Sequence, residues 1–136
     1  MKETIRTSEA PAAIGPYSQG ISVPTSRDGK IIFTAGQIAI NPKSGELTNG
    51  GIVEQTKQVL ENVKSILTAS GAGLEDVVKT TVFLQSLDDF TLMNETYARY
   101  FPTNPPARST VEVARLPRGA KVEIEAVAVV QKGERK

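Results

Sequence analysis

The chain has 136 residues, 39% of them apolar and 23% charged, which suits one domain large enough to bury a proper core. Its 16 basic and 15 acidic residues leave a net charge of +1, too little for a strong field toward nucleic acid or an anionic membrane. Histidine and cysteine are both absent, which excludes thiol nucleophiles, imidazole bases, disulfides and the usual zinc sites.

In chain order, the first residues, MKETIRTSEA, carry charge with no hydrophobic segment behind them, so no secretory signal is read there. No later run reaches membrane-spanning length. Together with the missing cysteines, this points to the cytoplasm. APAAIGPYSQG, residues 10–20, is a Pro/Gly-rich loop carrying one aromatic, Tyr17. Strands are predicted over Gly20–Val23 and Lys30–Ala35, with PTSRDG as the turn between them. QIAINPKSGELTNGG then reads as a long loop with room for a short hairpin. From Ile52 the period changes. Ile52, Thr56, Val59, Val63, Ile66 and Leu67 recur at helical spacing, Glu54, Lys57, Glu61 and Lys64 take the wetter side, and SGAG stops the helix.

VVKTTVFL, Val77–Leu84, is a strand whose nearly unbroken β-branched and aromatic character suggests burial on both faces. SLDDF opens a second helix, with Ser86 as a cap and Asp89 three residues on; Phe90, Met93, Tyr97 and Tyr100 follow, and Pro102 ends it. Two more strands, Arg108–Ala114 and Lys121–Val130, flank LPRGAK and are predicted to form an antiparallel hairpin. Val122, Ile124, Ala126, Ala128 and Val130 share one face of the last strand; Glu123, Glu125, Val127 and Val129 share the other. Lys132, Arg135 and Lys136 read as a solvated tail.

The order predicts a single two-layer α+β domain over residues 1–136, a mixed β-sheet with two helices on one face. Val127 and Val129 then need cover on the other face, and self-association is the simplest source.

The chemistry left to such a chain is narrow. A metal site would need carboxylates and carbonyls, and no loop has the alternating acidic spacing that calcium sites use. Proton transfer falls to Asp, Glu, Lys, Tyr, hydroxyls and water. Arg108 follows two prolines at the mouth of a strand. It is either an ordinary surface charge or a planar clamp for a carboxylate or phosphate. Glu123, Glu125 and Glu112 are either solvated strand residues or candidates for a general base lifted by burial. By residue type alone, Tyr17 either plugs the core or walls a pocket, Gly36 is either a turn glycine or one that offers its backbone N–H to a ligand, and Asn94 is a surface amide.

PARSTVEVARLPRGAKVEIE, Pro106–Glu125, resembles the C-terminal signature of the Rid (YjgF) family of reactive-intermediate imine/enamine deaminases. APAAIGPYSQG, FTAGQIAINPKSGE, VVKTTVFL and MNETYARYF resemble further blocks of that family in the same order, from about Thr7 to Val130. The resemblance implies a chorismate-mutase-like fold and homotrimers that enclose a central barrel, with active sites at subunit interfaces. It implies hydrolysis of 2-imino and 2-enamino acids, such as 2-iminobutanoate, 2-iminopropanoate and 2-aminoacrylate, to 2-keto acids and ammonia without a cofactor. By the same resemblance Arg108 holds the substrate carboxylate and Glu123 positions or activates water. Tyr17, Gly36, Asn94 and Thr110 line the pocket. Many members carry cysteine where this chain has Thr110, and serine where it has Ala35, so substrate preference and rate depend on those two positions. The alternative on the same scaffold is a non-catalytic metabolite-binding or regulatory protein. The near-neutral charge argues against a nucleic-acid partner.

Overall fold

The computed structural model describes residues 1–25 and 28–131. The central residues of the PTSRDG turn and the basic C-terminal tail lie outside them. Eight main elements follow in order: β1 (Glu3–Ile5), β2 (Gly20–Pro24), β3 (Gly29–Thr34), α1 (Ile52–Ala69), β4 (Val77–Leu84), α2 (Phe90–Tyr100), β5 (Ala107–Glu112) and β6 (Val122–Gln131). The strands form one mixed sheet in the order β1-β2-β3-β6-β4-β5, with both helices on one face. The predicted α+β architecture holds. β1, at three residues, is too short to leave a periodic signal.

The alternating apolar stripe of β6 builds the core. Val122, Ile124, Ala126, Ala128 and Val130 are buried together with Val59, Leu60, Val63, Ile66 and Leu67 of α1. Glu54 accepts a hydrogen bond from the Gly51 amide at 3.0 Å, closing the start of α1. At its end Gly71 takes φ +80°, a conformation glycine adopts without strain, and the Ala72 amide reaches back to the Leu67 carbonyl.

Two expectations are corrected. β5 and β6 are not a hairpin. β5 pairs in parallel with β4, and β6 inserts between β3 and β4. The LPRGAK segment therefore crosses the end of β4, tied there by the Val113 amide on Leu84 O and the Gln85 amide on Lys121 O. β4 is thus paired on both sides, next to the edge strand β5, while β3 and β6 form the centre of the sheet. Nor is β4 buried on both faces. Val77, Thr80, Val82 and Leu84 face the helices, while Val78 is 49% exposed. The opposite sheet face has no helix over it in the single chain. Phe33, Val129 and, on the edge strand β5, Val111 are each more than 40% exposed on that face.

The long loop after β3 does contain a short hairpin, with Ile40 bridged to Leu47. It is fastened to α1 by Asn62, whose amide donates to Ile38 O (3.2 Å) and Ile40 O (2.9 Å). Gln19 pins the N-terminal loop similarly. Its side chain accepts from the Thr7 amide and donates to Pro11 O, while its own carbonyl accepts from the Ala35 amide.

Candidate active site

Arg108, Asn94 and Thr110 come together along the β5 edge of the helix-covered face. Arg108 pairs in register with Thr80 of β4, and Thr110 with Val82, so both side chains project toward the helix side. On α2, Phe90, Asn94, Tyr97 and Phe101 fall on one stripe running past Arg108. The guanidinium lies 4.7 Å from the centroid of the Tyr97 ring and 5.6 Å from that of Phe90, within reach of a cation–π attraction. Arg108, Asn94, Tyr97, Phe101, Pro105 and Pro106 line a concavity of about 390 Å³. Among the described residues, no carboxylate is paired with Arg108. Thr110 Oγ1 is buried and has no hydrogen-bond partner among the described residues.

Tyr97 carries its own anchor, a 2.6 Å hydrogen bond between its hydroxyl and that of Thr80. Burial pushes the Tyr97 hydroxyl pKa up, while the Thr80 bond and the Arg108 charge pull it back. Residue-by-residue reading of the sequence placed Tyr97 only in the helical spacing of α2. The signal that could have found it is Asn94, a polar residue within an otherwise aromatic helix stripe.

Glu123 belongs to the other half of the picture. It pairs with Phe83, on the uncovered face of the sheet. It is half-buried, and burial followed by the charge of Glu125 raises its pKa above the usual glutamate value. Gly36 touches it: a Cβ built on Gly36 would collide with the Glu123 carboxylate. The glycine is thus there for close approach rather than for its backbone angles. Glu112, the third acid considered, is occupied elsewhere, accepting from the Leu87 amide at 2.8 Å. Tyr17 is 52% exposed, so it is not a core plug; it walls a separate concavity of about 590 Å³ beside Thr7 and Gln19. Its loop is nonetheless laced to the Ala35–Gly36 segment through Gln19.

One chain therefore keeps its two candidate groups apart. Arg108 and Glu123 project from opposite faces, two strands and three register positions apart, about 14 Å between backbones at ordinary strand spacing. Among the described residues, no three carboxylates gather as a metal site. Among the same residues, no helix is long and apolar enough to cross a membrane.

A family model described as Endoribonuclease L-PSP matches residues 7–130. A solved structure of a Rid-family protein of unknown function from Yersinia pestis superposes with a TM-score of 0.87 at 46% identity, covering 96% of this chain and 100% of that one. The chain belongs to the Rid family. Among its Rid-family relatives, a RutC family protein of Pyrococcus horikoshii is 54% identical over 94% of this chain and 98% of its own length. The 2-iminobutanoate/2-iminopropanoate deaminase of Escherichia coli is 50% identical over 95% of this chain and 98% of its own.

Proposed function

We propose that this Rid protein hydrolyses 2-imino acids and their enamine tautomers to 2-keto acids and ammonia, at a site completed by a second copy of the chain. The observation that carries this is Arg108. It is a guanidinium fixed against rings, without a carboxylate partner among the described residues, at the mouth of a concavity of small-metabolite size. The likeness to the Escherichia coli deaminase supplies the reaction.

The chemistry suits the residues. A 2-imino acid offers a carboxylate beside a C=N bond. Arg108 grips the carboxylate bidentately and fixes the orientation of C2, a large term when the geometry is right. The protonated imine is already electrophilic. Glu123 takes a proton from water as the water oxygen bonds to C2 and the C=N π electrons move onto nitrogen. It then returns that proton to the amine. The C–N bond breaks, ammonia leaves, and the hydroxyl gives its proton to the freed Glu123 carboxylate as C=O forms, and the carboxylate passes it to solvent. An enamine substrate first takes a proton on C3 to become the imine. Only protein groups and water enter these steps.

Arg108 and Glu123 cannot meet within one chain, so the site needs the Glu123–Gly36 half of one copy against the Arg108–Asn94 half of another. The uncovered apolar face gives a reason for copies to associate, and the family resemblance suggests three. The test couples a threonine or serine dehydratase to keto-acid formation. Wild type speeds keto-acid release and Arg108→Ala does not; equal release by the two would sink the proposal.

The separation of the half-sites also favours a second reading, a metabolite-binding protein that uses the Arg108 concavity alone. Carboxylate binding with no turnover by the wild type would select it. The nuclease in the family model's description finds little support in a net charge of +1.

A further inference from the structure

Arginines that bind ligands are commonly steadied by a carboxylate, which neutralises the charge and occupies part of the donor fork. Arg108 is steadied differently. A ring contact leaves the guanidinium charge unneutralised and, although the Tyr97 hydroxyl also engages part of the donor fork, leaves N–H donors for a planar anion. The support runs in a short chain of contacts. Thr80 lies directly beside Arg108 in the parallel β4–β5 register. Its hydroxyl holds the Tyr97 hydroxyl at 2.6 Å. Tyr97 is buried and packs on Phe101 with centroids 4.7 Å apart, so its ring has little freedom. Phe90, one turn before Asn94, adds a second ring from the exposed start of α2. An arginine seated in advance loses less side-chain freedom when the ligand arrives.

Resting on the deaminase reading above, we infer that Tyr97, seated by Thr80 and helped by Phe90, is a positioning residue that presents the Arg108 N–H edge to the substrate carboxylate. Its contribution is made equally to bound substrate and transition state, so it sets affinity rather than turnover.

The probe is 2-oxobutanoate, a keto-acid product, titrated into the intact protein by calorimetry, beside steady-state kinetics in the dehydratase-coupled assay. Tyr97→Leu is expected to weaken 2-oxobutanoate binding and raise KM by about three- to thirtyfold, with kcat within about twofold of wild type. Tyr97→Phe keeps the ring and recovers most of that affinity. Phe90→Leu, outside the core, weakens binding in the same direction and serves if Tyr97→Leu does not fold. Wild-type affinity in Tyr97→Leu, or in Phe90→Leu where only that variant folds, overturns the inference. So does a Tyr97→Phe as weak as Tyr97→Leu, which would move the role to the hydroxyl. Arg108→Ala discriminates between the two levels of argument. If it loses 2-oxobutanoate while the ring variants keep it, the deaminase reading survives and the positioning role does not. If it binds and turns over like wild type, the deaminase reading itself fails.

Discussion

Glu123 and Glu125 point from the same face of β6, and Glu123 is half-buried as well. Both circumstances favour the protonated carboxyl, burial more than the neighbouring charge. As a base Glu123 must be ionised, so the acid limb of kcat/KM should lie above the range of a free glutamate. Glu125→Gln removes the like charge, lowers the Glu123 pKa and moves that limb to lower pH. A limb that stays in place would show that Glu123 is not the titrating base. Stability runs the opposite way. A carboxyl whose folded pKa is raised contributes stability that is present below its unfolded pKa and is lost as pH rises through the folded one. Glu123→Gln should therefore raise Tm at neutral pH while abolishing turnover, which thermal melts at pH 4 and pH 7 would check. At this scale the sequence offered residue types without neighbours. Glu123, Glu125 and Glu112 looked alike until Gly36 was seen against one and the Leu87 amide against another.

Helices and strands were legible where their pattern is local. The α1 stripe and the alternating face of β6 can be read directly from residue spacing, and both are buried as that spacing requires. Asn62 was not singled out, although it sits between Val59 and Ile66 on the core side of α1, where a polar side chain needs partners. It finds them in the Ile38 and Ile40 carbonyls. Asn62→Leu should cost about 2–3 kcal/mol by stranding those carbonyls, measurable as a lower midpoint in urea unfolding with an unchanged slope. A midpoint within the error of wild type would mean that water replaces the amide. The partner of a strand is a different matter. LPRGAK looks the same whether it turns back on its own strand or passes over the end of β4, because that choice depends on residues far away in sequence. The Arg108–Tyr97 contact was hidden for the same reason. It depends on β5 lying beside β4 beneath α2, and an antiparallel β5–β6 hairpin would have placed Arg108 elsewhere.

For the molecule as a whole, the sheet's bare side is the dominant feature. Phe33, Val111 and Val129 are apolar and exposed there, and single-chain packing offers no cover. Light scattering should give a mass that is a multiple of the 14.6 kDa chain. Val129→Glu should shift that mass toward one chain and remove turnover with it. A monomeric, fully active wild type would contradict both expectations.

The placement of Arg108 and Glu123 on opposite sides of one sheet has a genetic consequence. If each site takes its arginine from one copy and its glutamate from another, neither is the private property of a chain. Arg108→Ala and Glu123→Ala, each inactive alone, should then complement one another. Co-refolded in equal amounts, they would form mixed assemblies in which some contacts carry both losses and others carry neither. Those undamaged contacts would restore a fraction of wild-type turnover. A site contained within one chain would leave the mixture as inactive as its parts.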